Sequence, residues 1–159
     1  LMTFQIRDAV KSDMPEVLAL IRALALFEKE PDAVDIDVAD LESAAFDSPK
    51  KFTCFVAQGD QGLIGMALIY FRFSTWKGSV VHLEDLIVHQ SYRGQGVGTA
   101  LYRSVMEFAQ AQGVKRVNWE VLHWNTAAIS FYEKTGAHVS DQWQTVSMSE
   151  TGLKKYLES

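Results

Sequence analysis

Hydrophobic residues recur every three or four positions in several parts of the chain, which is the spacing of one helix face. The first such run begins at Asp13, with Pro15 in its first turn and Glu16 at a capping-box position, and Pro31 ends it. The other predicted helices begin at Asp37, Val97, Asn125 and Ser149 and end near Ala45, Gly113, Gly136 and Leu157.

Other stretches alternate between apolar and polar residues, or are short apolar runs bounded by turn residues, and these predict strands. Predicted strands lie around Phe4 and Ile6, at Phe52–Ala57, Leu63–Phe73 and Val80–Val88, around Val117–Leu122, and at Trp143–Met148. The resulting order of elements, β-α-α-β-β-β-α-β-α-β, predicts an α/β fold with a mixed central sheet and helices on both faces.

The composition narrows the class of protein. With 159 residues, 48% of them hydrophobic and 22% charged, residues 1–159 are expected to form a single globular domain. There is neither an apolar run long enough for a membrane span nor a signal peptide pattern. The lone Cys54 is expected to be a buried strand thiol in a cytoplasmic protein. The net charge of −5 argues against a nucleic-acid partner and permits a cationic substrate.

A glycine-rich segment, Arg93-Gly94-Gln95-Gly96-Val97-Gly98-Thr99, lies between the strand ending at Val88 and a predicted helix. Glycines at alternate positions allow a tight turn and a close approach of the backbone to a ligand. The free N–H groups and positive dipole end of the following helix favour an anion such as phosphate. A glycine-rich turn without any ligand is the alternative for this segment taken alone.

This loop resembles the pyrophosphate-binding loop of the GNAT superfamily of N-acetyltransferases, and a second segment strengthens the resemblance. Residues 125–137 match the family's other signature, N-x-x-A-x-x-F-Y-x-x-x-G-A. Taken alone, that segment reads as an ordinary capped helix with an aromatic stripe. The two signatures in this order imply the GNAT fold, in which two central parallel strands splay apart around the cofactor; here those strands would be Leu83–Val88 and Val117–Leu122.

The resemblance implies acetyl-CoA as the co-substrate and no metal. It places the cofactor against the strand end, the glycine-rich loop and the following signature. The implied cofactor-binding residues are Leu86, Ile87, Val88, Arg93, Gly94, Gln95, Gly96, Val97, Gly98, Thr99, Asn125, Ala128 and Tyr132. Tyr132 is implied as the general acid that protonates the departing thiolate, although an aromatic core contact is the alternative. The four histidines show no metal-ligand spacing, and His123 is a weak alternative base.

Glu84 and Asp85 precede the apolar run that ends at Val88, inside a strand that appears buried. Adjacent strand residues face opposite ways, so only one of the two carboxylates should face a cleft unless a bulge intervenes. Carboxylates in such a strand need partners, which favours a functional role over the alternative of a structural pair. By the resemblance, Glu84 is the preferred base or amine-binding residue.

Five features suggest a narrower group: the segments Leu24–Glu28, Tyr70–Trp76 and Leu83–Asp85, the pair Trp124-Asn125, and a late Trp143. In these the chain resembles the spermidine/spermine (diamine) and thialysine N-acetyltransferases. Carried over by position, the residues around the acceptor would be Phe27, Glu28, Trp76, Glu84, Asp85, Asp141 and Trp143. Carboxylates and aromatic rings suit an alkylammonium ion. Ser74 and Phe27 stand where the polyamine enzymes carry an acid and a tyrosine, so a diamine, a polyamine and a lysine-like amine all stay open. Trp76 and Trp143 could instead serve packing or a homodimer interface.

Two other functions stay open from the sequence. One is acetylation of a protein or peptide amine, which would need an open acceptor cleft. The other is a non-catalytic module that binds acetyl-CoA, against which Glu84 and Tyr132 count.

Overall fold

The computed structural model describes residues 3–158 of the chain. Its strands are β1 (Gln5–Asp8), β2 (Thr53–Gly59), β3 (Gly62–Ser74), β4 (Gly78–Val88) and β5 (Val117–Asn118). Its α-helices are α1 (Met14–Phe27), α2 (Val38–Phe46), α3 (Val97–Ala111), α4 (Thr126–Lys134) and α5 (Glu150–Glu158). The described residues form two compact units, one ending at Glu120 and one beginning at Val121.

The first unit contains a five-stranded sheet in the order β1-β2-β3-β4-β5. The first four strands pair antiparallel, and β4 pairs parallel with β5. The sheet is therefore mixed, as the order of elements predicted. Alternate residues along each strand face opposite sides, so both faces need cover.

Two hydrophobic clusters cover the two faces of the sheet. One joins α1 and α2 to side chains such as Val56, Met66 and Ile87. The other joins α3 to side chains such as Ala67 and Leu83. Within the first unit, helices thus lie on both faces of the sheet, as predicted.

The start of α1 differs from the predicted capping box. The Asp13 carboxylate accepts two hydrogen bonds from the Arg7 guanidinium, at 2.7 and 2.9 Å, and one from the Val10 N–H at 2.8 Å. Glu16 instead accepts from the Leu63 N–H at 2.7 Å. Both carboxylates are therefore used in tertiary contacts, and these tie β1 and β3 to the helix start. The helix also ends at Phe27, before Pro31.

The other predicted helix starts agree with the structure. Asp37 and Asp40 exchange hydrogen bonds of 2.9 Å across the start of α2. Asn125 accepts from the Ala128 N–H at 3.3 Å at the start of α4. Cys54 is buried in β2, and burial raises the pKa of its thiol to about 12, so the thiol is unreactive at neutral pH.

Two strand predictions are wrong. The predicted strand Val117–Leu122 is only Val117–Asn118, because its pairing with β4 ends at His82 and Asn118. The predicted strand Trp143–Met148 has no regular secondary structure, and its apolar side chains are exposed. Alternation of apolar and polar residues shows that a segment could join a sheet. The segment becomes a strand only where a neighbouring strand is present to hydrogen-bond with its backbone.

Candidate active site

A β-bulge in β4 determines which way its two acidic residues face. Leu68 of β3 pairs with Asp85 and Ile69 pairs with Leu83, so Glu84 is left without a cross-strand partner. Such an extra residue reverses the alternation of side chains beyond it. Asp85 therefore faces the same side as its partner Leu68, which belongs to the cluster under α1 and α2.

The core residues on either side confirm this reversal. Before the bulge, Val81 and Leu83 lie in the cluster under α3. Beyond it, Leu86 and Val88 pack against that same cluster, although they have the opposite parity in sequence. His82, opposite in parity to Val81, therefore lies on the side of α1, and Glu84 contacts it. The bulge thus brings Glu84 and Asp85 to one face of the sheet, which regular alternation would not allow.

Asp85 has the electrostatics of a functional carboxyl. Burial, followed by the negative charges of Glu84 and Glu28, raises its pKa to about 6. Glu28 follows the last residue of α1, and burial raises its pKa as well. Two of the other predicted acceptor-site acids, Glu28 and Glu84, are therefore close enough to Asp85 to act on it, and a cation placed among the three would relieve this repulsion.

Glu84 has the opposite shift. The His82 ring donates to its carboxylate, with Nε2 and Oε2 3.3 Å apart, and this bond lowers the pKa of Glu84 in spite of partial burial. The Tyr70 hydroxyl is also hydrogen-bonded to Glu84. Burial and the charge of Glu84 raise the pKa of Tyr70, so the phenol stays protonated and remains a donor. Glu84 is therefore a fixed negative charge at neutral pH.

His82 and Asn118 are site residues that the sequence analysis missed. His82 is only 6% exposed, and its Nδ1 lies 2.7 Å from the Asn118 side-chain nitrogen. The two residues face each other at the last pair of the β4–β5 ladder. A histidine inside an apolar strand beside two acids was the available signal, but its partner lies 36 residues away.

The backbone of β4 beyond His82 has one open side. Leu86, Ile87 and Val88 pair with β3, but the ladder with β5, as described for residues 3–158, stops at His82. On the β5 side, the N–H and C=O groups of this stretch therefore have no strand partner. They are suited to bind an extended amide chain, and one N–H could stabilise an oxyanion.

The glycine-rich loop has the geometry expected of an anion cradle. Gly94 and Gly96 have φ values of 74° and 85°, which side chains rarely adopt, and a Cβ on either would meet nothing within 4 Å. Gly96 caps α3, whose first residue, Val97, is buried and fixes the helix start. Gly98 and Thr99 continue the first turn, where the N–H groups lack helical acceptors. This open, donor-rich turn fits a pyrophosphate group.

Arg93 connects the loop to the end of α1. Its Nε donates to the Val88 carbonyl at 3.0 Å, and its guanidinium carbon lies 5.1 Å from the centre of the Phe27 ring. Gln95 donates to the Ser91 carbonyl at 3.3 Å. A predicted cofactor residue, Arg93, and a predicted acceptor residue, Phe27, are thus in direct contact.

The turn between β3 and β4 presents Trp76. The Ser74 hydroxyl accepts hydrogen bonds from the Trp76 and Lys77 N–H groups, both at 3.2 Å. This arrangement fixes the turn and leaves the Trp76 side chain 79% exposed. Trp76 is therefore available to a ligand or to another protein surface.

The second unit carries the other predicted site residues. Asn125 caps α4 through Ala128, and Tyr132 is buried with its ring 5.5 Å from that of Phe131. Asp141 and Trp143 lie in the exposed irregular segment that follows. That these residues share one site with Glu84 stays a prediction.

Two further properties of residues 3–158 bear on the site. They contain no group of three or more histidine, cysteine, aspartate or glutamate side chains arranged to hold a metal ion. Within the same range, no helix has the length and apolar character needed to cross a membrane.

Comparison with known proteins gives a consistent result. A model of the acetyltransferase (GNAT) family matches residues 15–137. The chain is 39% identical to thialysine N-epsilon-acetyltransferase of Bos taurus over 140 residues, which are 83% of this chain and 82% of that protein. It is 36% identical to spermidine/spermine N(1)-acetyltransferase-like protein 1 of Homo sapiens over 141 residues, 84% of this chain and 20% of that protein.

Solved structures show the same fold. An aminoglycoside acetyltransferase from an uncultured soil metagenomic sample, crystallised with trehalose, aligns with a TM-score of 0.76 at 20% identity, covering 92% of this chain and 95% of that one. An integron cassette protein from V. cholerae aligns with a TM-score of 0.79 at 21% identity over the whole of both chains.

Proposed function

Because the chain belongs to the GNAT family and is an N-acetyltransferase, we propose that it transfers the acetyl group of acetyl-CoA to a primary amine of a small cationic or zwitterionic acceptor. The observation that carries this proposal is the bulge in β4, which puts Glu84 and Asp85 on one face near Glu28. The acceptor class is a diamine, a polyamine or a lysine-like amine, in keeping with the names of the relatives.

Acetyl-CoA supplies an activated thioester when it is bound. Residues Arg93–Thr99 would hold the pyrophosphate, and the open side of Leu86–Val88 would hold the pantetheine arm and polarise the thioester carbonyl. By the resemblance, Asn125 and Ala128 are also proposed to bind the cofactor arm. The open space above Gly94 and Gly96 supports this assignment, because any side chain there would enter the cradle.

The acceptor must lose a proton before it can attack the carbonyl. An alkylammonium has a pKa of about 10.4, so presenting the free base at pH 7 costs about 4–5 kcal/mol. Glu84, ionised at neutral pH, binds the ammonium and begins proton removal, directly or through water. Asp85, with its pKa near 6, is the stronger base of the pair. Tyr132 would donate its hydroxyl proton to the coenzyme A sulfur as the acetyl group passes to the amine.

The remaining acceptor residues would enclose the amine. Phe27 and Trp76 offer aromatic faces, and the resemblance adds Asp141 and Trp143 to the proposed acceptor residues. Because Ser74 occupies a position where the polyamine enzymes have an acid, we expect an acceptor with a short spacing between its charges.

We further propose a cytoplasmic homodimer. The support for the dimer is the high exposure of the C-terminal apolar residues, defined as Trp143, Val146, Met148, Leu153, Tyr156 and Leu157. Val146 is 93% exposed and Tyr156 is 70% exposed, which is costly unless another surface covers them.

A coenzyme A release assay over diamines, polyamines, lysine analogues and peptides tests the proposal. We expect turnover with small cationic or zwitterionic amines and little with peptides. Turnover on peptide amines alone would favour a protein acetyltransferase. Binding of acetyl-CoA in calorimetry without turnover on any amine would favour a non-catalytic module.

A further inference from the structure

His82 is a buried polar residue to which the proposed reaction assigns no role. It lies between Val81 and Leu83, both of them core residues of β4. Burying an imidazole is unfavourable unless its ring nitrogens find partners. Both have partners here, since Nδ1 lies 2.7 Å from Asn118 and Nε2 lies 3.3 Å from Glu84.

The identity of these partners fixes where the ring proton lies. The Asn118 side-chain nitrogen carries only hydrogens, so it can donate but not accept. With the Asn118 amide in this orientation, Nδ1 of His82 is the unprotonated nitrogen, and Nε2 carries the proton toward the Glu84 carboxylate, which can only accept. The ring is held as a donor to the carboxylate.

Asn118 also carries a buried, unpaired oxygen, which a residue that served packing alone would not need. Its Oδ1 is buried and has no hydrogen-bond partner among the described residues. An unsatisfied buried oxygen is destabilising, and an apolar side chain would avoid that loss. The amide nitrogen, which does have a partner, is the group that justifies an asparagine at this position.

From these contacts we propose that Asn118 and His82 are positioning residues for Glu84. Asn118 holds His82 in the Nε2–H tautomer, and His82 holds the Glu84 carboxylate at the bulge, where it meets the amine. The kinetic part of this inference rests on the proposed function, whereas the tautomer of His82 does not depend on it.

The surroundings of Glu84 explain why it needs a fixed donor. The like charge of Asp85 follows it on β4, Glu28 at the end of α1 acts on Asp85, and Glu120, which follows β5, acts on Tyr70. On β3, Tyr70 donates a second hydrogen bond, and Arg72 is a nearby cation acting on Tyr70. Without His82, repulsion would favour an outward rotamer or a protonated carboxyl, and either would weaken amine binding.

Nitrogen-15 NMR of the unliganded protein, with labelled histidine, tests the tautomer without any substrate. We expect the His82 Nε2 signal to be that of a protonated nitrogen and the Nδ1 signal that of an unprotonated acceptor at pH 7. Asn118→Leu should replace this single tautomer by a mixture. A wild-type ring protonated at Nδ1, or a tautomer unchanged by Asn118→Leu, would overturn the proposal.

Two substitutions of His82 test the kinetic consequence. Gln places an amide nitrogen near the position of Nε2, whereas Asn reaches only the position of Nδ1. His82→Asn should lower kcat/KM for the amine by about tenfold to a hundredfold, the range expected for one hydrogen bond to a charged group. His82→Gln should retain most of the activity, and His138→Gln, on an exposed histidine, is the control for the exchange itself.

The NMR test and the kinetic test together separate the failure of this inference from the failure of the proposed function. An enzyme that acetylates amines but loses the same activity in both His82 variants, or in neither, would overturn the positioning role. A protein that acetylates no amine would overturn the proposed function, while the NMR result would still decide the tautomer. If the His82 variants do not fold, the effect of Asn118→Leu on the tautomer decides the proposal.

Discussion

Asp85 illustrates how one irregularity of the backbone determines the chemistry of a side chain. Regular alternation would put it on the face opposite Glu84, away from its neighbour's charge. The bulge instead turns both carboxyls to one face, where burial and two like charges raise the pKa of Asp85 to about 6. The folded protein therefore favours the neutral form of the Asp85 carboxyl over the ionised form.

This shift predicts a gain of stability when the charge is removed. A raised pKa means that Asp85 favours the fold below the unfolded pKa of about 3.9, and that this contribution is lost as pH rises through about 6. Asp85→Asn should therefore raise the free energy of unfolding by about 1–3 kcal/mol at pH 8 and change it little at pH 4. Urea unfolding at both values measures this, with the exposed Asp60→Asn as the control.

The same variant should lose activity, because the amine loses its stronger base. In the wild type, kcat/KM should rise with pH through about 6, and Asp85→Asn should remove that rise. A variant that is less stable at pH 8, or a wild-type profile flat across pH 6, would contradict the assignment.

Tyr132 allows a single-atom test of the general acid. Its ring is buried against Phe131, so Tyr132→Phe keeps the packing and removes only the hydroxyl. General acid catalysis contributes about 10²–10⁴ in rate, so kcat should fall by that factor. Affinity for acetyl-CoA, measured by calorimetry, should be nearly unchanged and serves as the internal control. A kcat within a few-fold of the wild type would assign Tyr132 to packing alone.

At the scale of single residues, sequence reasoning found the acids Glu84 and Asp85. It missed His82 and Asn118, the residues that contact Glu84 directly and through His82. Glu84 and Asp85 stand out because carboxylates are rare in apolar strands. Which way they face depends on the pairing of β3 with β4, a property of two strands rather than one. The contact of His82 with Asn118 depends in the same way on the register of β5, and no local pattern in the sequence encodes it.

At the scale of elements, the glycine-rich turn offers a matched pair of substitutions. Gly96 and Gly113 bracket α3 with φ values of 85° and 67°, and both have open space where a Cβ would lie. Alanine at either position should lower the free energy of unfolding by a similar amount, about 1–2 kcal/mol, because of backbone strain. Only Gly96→Ala should greatly weaken acetyl-CoA binding in calorimetry, because its methyl group enters the anion cradle. Equal affinity in the two variants would remove the loop from the cofactor site.

The turn between β3 and β4 tests the acceptor class. The Ser74 hydroxyl caps this turn, and a carboxylate or an amide oxygen can accept the same two N–H groups. Ser74→Asp should therefore keep the turn and add a charge beside Trp76. It should raise kcat/KM for spermidine relative to a lysine-like amine by up to about fivefold, the range of an exposed ion pair.

Ser74→Asn is the matched control, since it has the shape of Asp without the charge. It should leave the ratio of the two kcat/KM values near that of the wild type. A rise in both variants would mean that the turn, and not the charge, sets the preference.

The elements that sequence reasoning predicted well are those with their own local signals. Asp37 and Asn125 cap helices through side-chain bonds that their types favour, and hydrophobic spacing located α3. The elements predicted wrongly depend on partners. β5 ends where β4 stops pairing with it, and the segment Trp143–Met148 has alternation but no neighbouring strand among the described residues.

At the scale of the whole molecule, the C-terminal apolar residues form one exposed set, and other exposed apolar residues, such as Phe73 and Trp76, lie at the β3–β4 turn. Water covers apolar side chains unfavourably, so the C-terminal apolar residues are suited to contact another surface. A second copy of the same chain is always present in solution and can cover these side chains. The homodimer is therefore the expected state in solution.

Sedimentation should give twice the chain mass of 17.8 kDa at micromolar concentration, with dissociation on dilution. Val146→Lys puts a charge on a side chain that is 93% exposed, so it should not disturb the fold of the chain itself. It should nevertheless weaken the dimer, because the charge would be buried in the interface. Ile36→Lys, on an exposed apolar residue of the first unit, is the matched control and should leave the dimer intact. A protein that sediments as a monomer at all concentrations, or a dimer indifferent to Val146→Lys, would show that these residues are not an interface.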